Sequence, residues 1–393
     1  MPWKETTTME QKMEFICEWR TQKYSITELC KAFGISRPTA YKFIHRYENF
    51  GIEGLIDKTK TPKKHPNQTK DYIVKRILEL KRKHKLWGAK KIKKLLFNDC
   101  LEEDIPSVVT VHNILRNHGL VKPQKRVRRV KPVFPIFDPK ECNEVWSADY
   151  KGKFKMGNKI YCHPLTIADS KSRFLFVAKG HYHENLKSAK AAFTKVFRIY
   201  GIPKQIHTDN GSPFGSVAAI QRFTRLSYWF IELGIQPVFS DPAHPEQNGR
   251  HERMHRDLKA ACAKPASANL RTQQRRLNAF VREYNHVRPH EALDMETPAS
   301  VHDFSTRPFP ERIPNFDYDS EMKVLKVTQN GAMRWGAYHW VYLTASLKGK
   351  YVGVLEMGNG IWRVFYRSVF LGYFDEQNIR NKETSIRLSQ NIV

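Results

Sequence analysis

Apolar positions recur at helical spacing between residues 10 and 47, and two start signals and one break divide that run. Thr27 is placed to cap a short helix, Gly34 to supply a left-handed turn, Ser36 to cap the next helix, and Pro38 to sit in that helix's first turn. The pattern predicts a helix-turn-helix. Its core side would take Leu29, Ala32, Ile35, Ala40 and Ile44, which leaves Arg37, Thr39, Tyr41, Lys42 and Arg46 on the open side of the second helix, where a major-groove reader needs them. A helical hairpin with a solvated face has the same periodicity, so the surrounding charge must choose between the two readings. Further helical stretches at Asp71 to His84, Ala89 to Asn98 and Val108 to Asn117, with a turn around Asp104-Ile105-Pro106-Ser107, predict a second small helical unit.

The texture changes at Val145. Extended apolar runs from Val145 to Tyr150, Lys159 to Ala168 and Arg173 to Lys179 precede a helical stretch from Asn185 to Tyr200 and a short strand from Gln205 to Thr208. Helices are then expected around Val217 to Leu233, Glu246 to Ala263 and Leu270 to His286, which makes a mixed α/β domain. After a Pro-rich joint from Thr297 to Pro314, short β-like segments run from Met322 to Phe374, broken by Asn330-Gly331, Gly358-Asn359-Gly360 and Gly372. They predict a small antiparallel barrel, filled by Trp335, Tyr338, Trp340, Tyr342, Trp362, Phe365 and Tyr366 unless some of these stack on DNA, which the spacing does not decide.

Charge decides how the helical units read. The 67 Lys+Arg exceed the 39 Asp+Glu of this 393-residue chain by 28, and the excess is concentrated. Between Lys58 and Lys94 fifteen basic residues face two acids, and Val121 to Pro132 carries six with none. Such runs find no local neutralisation and fit phosphate contacts, so double-stranded DNA is the expected partner. A hydrophobic share of 40% excludes a disordered basic tail. Six cysteines without a Cys-x-x-Cys pair argue against a disulfide framework or zinc ribbon and for reduced thiols. No apolar run approaches the ~18 residues of a membrane span, and the opening Met1-Pro2-Trp3-Lys4-Glu5 lacks a secretory stretch. The expectation is an intracellular protein, cytoplasmic and associated with the nucleoid.

Three carboxylates stand where their segments do not need them. Asp149 projects from a strand that should enter a core, Asp209 leaves a short strand into the turn Asn210-Gly211, and Glu252 shares a helix face with Arg256 and Lys259. Any one of them alone reads as a cap or salt-bridge member. Together they would repel by several kcal/mol unless cations neutralised them, and hard oxygen donors choose Mg²⁺ or Mn²⁺. A pair of such ions suits in-line phosphoryl displacement, with Arg256 and Lys259 facing the DNA backbone.

The words around these acids are Glu144-Val-Trp-Ser-Ala-Asp149-Tyr-Lys-Gly, Ile167-Ala-Asp-Ser-Lys-Ser-Arg-Phe174 and Tyr200-Gly-Ile-Pro-Lys-Gln-Ile-His-Thr-Asp209-Asn-Gly-Ser-Pro-Phe214. Two more follow, His244-Pro-Glu-Gln-Asn-Gly-Arg-His-Glu252-Arg-Met-His-Arg-Asp-Leu-Lys259 and Tyr284-Asn-His-Val-Arg-Pro-His-Glu-Ala-Leu293. In this order they closely resemble the retroviral-integrase-like transposases of bacterial insertion sequences, the family with an Asp-Asp-Glu catalytic core. The resemblance implies a ribonuclease-H-like fold with Asp149 and Asp209 on neighbouring strands and Glu252 on a following helix. It further implies Asp149 bridging two metal ions, Asp209 on one and Glu252 on the other. The implied reaction is metal-dependent cleavage at the element's 3′ ends and attack of the freed hydroxyl on target DNA, in a homo-oligomeric synaptic complex. Glu246 competes for the third role, but the family's acid follows the Gly of this word, as Glu252 follows Gly249; Asp169 reads as structural. The 42 residues between Asp209 and Glu252 exceed the familiar spacing, so an insertion or longer helix is expected over 214–234.

The resulting organisation is a helix-turn-helix domain at 1–57, a basic linker and second helical unit at 58–120, and a basic linker at 121–138. An integrase-like catalytic core at 139–300, a linker at 301–321 and a β-barrel domain at 322–393 complete it. Two rivals compete. His251-Glu252-Arg253-Met254-His255 matches the zinc-protease word His-Glu-x-x-His, although a third ligand is missing from its helix and the protease reading explains no basic excess. The other is a DNA-binding protein whose nuclease-like core is inactive. His181 and His183 read as sheet-edge residues, and Arg288-Pro289-His290 as a packing turn.

Overall fold

Local capping chemistry sets the first helices. In this computed structural model α1 (Thr8–Arg20) and α2 (Ile26–Ala32) each open with a capping box, Thr7 with Glu10 and Ser25 with Glu28. The second cap is therefore Ser25, not Thr27; the Thr27 hydroxyl instead accepts from the Arg37 guanidinium at 2.7 Å. Gly34 turns the chain at φ +62°, and α3 (Arg37–Phe50) begins after Ser36 with Pro38 in its first turn. Leu29, Ala40 and Ile44 are buried with Phe15, Ile16, Cys30 and Leu55, and Ile35 packs against them. Ala32 is exposed, contrary to expectation, because its bulkier neighbour Phe33 takes the core position, edge-on to Phe15 at 5.6 Å. Residues 1–68 make up this first compact unit.

The structure describes residues 7–57, 68–122, 138–150, 152–216, 219–241, 249–382 and 385–389. Most of both basic linkers and Glu246 lie outside them. Among the described residues no helix is long and apolar enough to cross a membrane.

The second unit, residues 69–393, begins with three helices, α4 (Asp71–Lys83), α5 (Ala89–Leu96) and α6 (Val108–Asn117). Ile73, Ile77 and Leu80 follow one another at helical spacing and close on Trp87, Ile92, Leu96, Val111 and Leu115. The bundle rests on the next domain through His84 Nδ1, 2.8 Å from Glu283, and through the exposed pairs Lys90–Glu291 and Lys94–Glu296. Exposed pairs of that kind contribute about 0–1 kcal/mol each.

The central sheet comprises β1 (Val145–Asp149), β2 (Phe154–Lys155), β3 (Tyr161–Asp169), β4 (Leu175–His181), β5 (Gln205–Thr208) and β6 (Gln236–Phe239). Strand β3 pairs antiparallel with β1, β2 and β4, whereas β1, β5 and β6 run parallel to one another. Alternation along β1 sends Trp146, Ala148 and Tyr150 into an aromatic core with α7 (Leu186–Tyr200) and α8 (Arg225–Glu232). Ser147 and Asp149 face the other way, toward α9 (Gly249–Cys262). There Met254, Leu258 and Cys262 pack with Leu277, Phe280 and Tyr284 of α10 (Leu270–His286) on Ala168, Leu175 and Ala178, and a short α11 (Pro298–Val301) follows.

The tail departs from its expectation. Strands β7 (Lys323–Lys326), β8 (Ala332–Trp335), β9 (His339–Tyr342), β10 (Tyr351–Gly358), β11 (Ile361–Tyr366), β12 (Val369–Asp375) and β13 (Ser385–Arg387), with α12 (Glu376–Lys382) before the last, form two sheets. One has the order β12-β11-β10-β7; the other, β13-β9-β8, includes a parallel pair. Single bridges, Val327 to Met333 and Tyr373 to Ser389, link them. Strands of three or four residues carry no continuous ladder around a ring, so the antiparallel barrel is not closed by strand pairing among the described residues. Trp335, Trp362 and Tyr366 lie inside, but Tyr338, Trp340 and Tyr342 are exposed.

The extra length after Asp209 is a loop rather than a longer helix. Gly215 and Phe223 are bridged across it, and α8 is only eight residues long. Phe223 of that loop, with Tyr228 and Ile231 of α8, belongs to the core of the tail. Glu232, 5% exposed, accepts from Tyr366 Oη at 2.7 Å and Lys350 Nζ at 2.5 Å, and its carbonyl accepts from Arg367 at 2.7 Å.

Candidate active site

Register places the first two acids. Strands β1 and β5 are parallel neighbours with Ala148 opposite Thr208, so Asp149 and Asp209 occupy the next position on each, at the same end of the sheet. Adjacent strands stand about 4.8 Å apart. Asp149 is 3% exposed, while Asp209 lies on the exposed loop just beyond its strand. The Gly211 amide donates to Asp209 Oδ1 at 3.1 Å, and a Cβ on Gly211 would stand 3.2 Å from Oδ2. Asn210 anchors the loop by donating to the Ser240 carbonyl at 2.6 Å, and Ser240 Oγ meets His207 Nε2 at 2.9 Å. Burial pushes the His207 imidazole down to about 4, which keeps it neutral there.

Glu252 lies in the first turn of α9, half-buried, between two histidines that are each 3% exposed. Ser147, Asp149 and Thr166 put polar groups on a buried sheet face, where each requires a partner. The histidines supply it. His251 Nδ1 meets Ser147 Oγ at 2.8 Å, and its Nε2 meets Thr166 Oγ1 at 2.7 Å. His255 Nε2 reaches the same hydroxyl at 2.6 Å, and its Nδ1 stands 3.7 Å from Asp149 Oδ2. The ring nitrogens of the His-Glu-x-x-His word are thus turned into the fold, which is not how a zinc-protease helix presents them.

Of the two basic residues expected beside the acids, Arg256 is exposed and Lys259 leans back over the exit of β1. A Cβ on Gly152 would lie 2.0 Å from Lys259 Cε, and Gly152 has φ +95°. Sequence reasoning missed Gly152; its signal was a Gly three residues after an acid. In the first unit Arg37 and Lys42 are exposed on α3, while Thr39 and Arg46 are half-buried and the Thr39 hydroxyl is engaged with Ser36 Oγ at 2.8 Å.

Asp149, Asp209 and Glu252 would together offer an all-oxygen donor set, which fits Mg²⁺ or Mn²⁺ better than zinc. They are not drawn within 4.8 Å of one another; among the described residues the group that is comprises Cys142, Asp169 and His302. Asp169 there already accepts from the amides of Asn143, Lys171 and Ser172 and from Ser172 Oγ, at 2.7–3.1 Å. With four hydrogen bonds its carboxylate is saturated, and it pins the ends of β1 and β3 rather than holding an ion.

Comparisons with known proteins agree with this architecture. An integrase core domain matches residues 139–245 and another 233–298, a helix-turn-helix domain matches 11–64, and a homeodomain-like domain matches 39–115. The transposase for transposon Tn552 of Staphylococcus aureus is 23% identical over 92% of this chain and 82% of its own length. An uncharacterized 39.2 kDa protein of the insertion element IS476 from Xanthomonas euvesicatoria is 26% identical over 60% of this chain and 65% of its own. The Pro-Pol polyprotein of feline foamy virus is 28% identical over 42% of this chain, which spans 13% of that polyprotein. Among solved structures, the HTLV-2 integrase catalytic core domain in complex with magnesium aligns with 42% of the chain at 17% identity and a TM-score of 0.34. Helix-turn-helix domains followed by an integrase core domain, with similarity to the Tn552 transposase over 92% of the chain, support an insertion-sequence transposase with a retroviral-integrase-like core.

Proposed function

We propose that the chain is a DNA transposase that cuts the 3′ ends of its element and joins them to target DNA, with Asp149, Asp209 and Glu252 as its acids. The observation that supports this reading is the parallel pairing of β1 with β5, in which Ala148 stands opposite Thr208 and Asp149 and Asp209 follow directly, while α9, which carries Glu252, packs over the Ser147 and Asp149 side of β1. Mg²⁺ or Mn²⁺, held as two ions by these carboxylates, supplies activation of an oxygen nucleophile and stabilisation of the leaving oxygen. The protein's own groups do the rest. Buried Asp149 offers a fixed carboxylate and exposed Asp209 one held by the Gly211 amide, while Lys259 and Arg256 bind the backbone phosphates flanking the scissile bond. The helix-turn-helix, through Arg37, Lys42 and Arg46 with Thr39 beside them, and the second helical unit hold the element ends, and two or more copies bring paired ends together.

The test is incubation of the purified chain with DNA flanking its own coding region and Mg²⁺ or Mn²⁺. Nicks at paired inverted repeats are expected. Asp149→Asn and Glu252→Gln should abolish them with DNA binding retained, and Glu246→Gln should leave them largely intact. A wild-type chain that binds these ends yet neither cuts nor joins them in Mn²⁺ would establish the inactive-core reading instead.

A further inference from the structure

The histidine word that the transposase reading leaves unexplained has a structural place. We propose that Thr166, His251 and His255 are positioning residues: a buried hydroxyl and imidazole network that fixes α9 against β1 and β3 and so determines where Glu252 stands relative to Asp149. This rests on the acid site proposed above.

Thr166 lies directly opposite Asp149 in the β1–β3 register, and its hydroxyl is 3.2 Å from the Asp149 carbonyl. One hydroxyl has one proton to give and two lone pairs to offer. When Thr166 donates to that carbonyl, both His251 Nε2–H and His255 Nε2–H donate to Thr166, at 2.7 and 2.6 Å. His251 Nδ1 is then an acceptor and takes the Ser147 proton at 2.8 Å. A single assignment therefore satisfies Ser147, Thr166 and both Nε2 atoms, and it ties two strands to two successive turns of one helix. Glu252 follows His251 directly and precedes His255 by three residues, so it is carried on the turn that the network clamps. His255 Nδ1, 3.7 Å from Asp149 Oδ2, also limits where that carboxylate turns. The residues are 0–3% exposed apart from Ser147 at 8%, so water does not replace these bonds.

The test uses the full chain. Thr166→Val keeps the side-chain shape and removes the hydroxyl, Thr166→Ser keeps the hydroxyl, and His255→Phe keeps a ring without nitrogens. Three properties are measured: hydrogen exchange of α9 amides without added metal, Mn²⁺ affinity by titration, and nicking of element-end DNA. Loss of a group that orients metal ligands typically costs about 10–100-fold in affinity or activity. Thr166→Val and His255→Phe are expected to fall in that range for Mn²⁺ affinity and nicking and to accelerate α9 exchange, with DNA binding unchanged and Thr166→Ser near wild type. If Thr166→Val matches wild type in α9 exchange and Mn²⁺ affinity, or if Thr166→Ser is as impaired as Thr166→Val, the network does not position the site. Asp149→Asn separates the two levels: retained Mn²⁺ binding and nicking in it overturns the acid site and this inference together. Loss of both there with Thr166→Val intact overturns this inference alone.

Discussion

Gly152 shows how one absent side chain shapes a site. Its backbone is in the left-handed region and Lys259 occupies the space a methyl group would need, so Gly152→Ala both strains the turn and displaces the ammonium. Cleavage by Gly152→Ala is expected to fall about as far as by Lys259→Ala, with the double variant no worse than either, a non-additivity that cleavage rates on one DNA substrate would measure. Additive losses would mean that the two residues act separately. That Asp149 ends a strand, that Asp209 leaves one and that Glu252 lies on a helix were legible in the sequence, the first two from apolar extended runs and the third from helical spacing. Thr166 was not legible: inside an apolar strand it looks like any tolerated β-branched residue, and only the pairing with Asp149 reveals its hydroxyl's partners. Ser25 and Thr27 are both plausible caps by residue type, and what selects Ser25 is the Glu28 that completes its capping box.

Elements with their own strong pattern were found where expected, β5 and α10 to the residue. Strand β6 was missed since Gln236-Pro237 argues against a strand, and it survives as an edge strand of the sheet, a position that tolerates Pro. Helix α8 is shorter than its apolar run because part of that run serves the neighbouring core of the tail, a distinction no local periodicity contains. The same helix ends in the buried Glu232, tied to Tyr366 and Lys350. Hydrogen bonds to a charged group contribute about 1.5–3 kcal/mol, so Glu232→Gln should weaken the hold of α8 on the tail by about 2 kcal/mol. Limited proteolysis between residues 303 and 322 is expected to accelerate in that variant while helix content by circular dichroism stays unchanged. Wild-type cleavage rates would mean that apolar packing alone holds the junction.

For the whole chain, the net charge of +28 has a measurable consequence. A protein that neutralises about six phosphates loses roughly 10³-fold in affinity for duplex DNA between about 50 and 200 mM salt. A loss at least that steep is expected for the full chain on both specific and unrelated duplexes, read by fluorescence anisotropy; a shallow dependence would mean that most of the basic excess never touches the backbone. The coarse division into helical, α/β and β parts could be read from pattern and charge, because each part has its own periodicity. How the parts grip one another could not, since those contacts join residues far apart in the chain. The bridged loop after Asp209 illustrates the point: it leaves the sheet beside an acid and finishes inside the final domain. A pull on that domain would therefore act, like a tether, on the turn that carries Asp209.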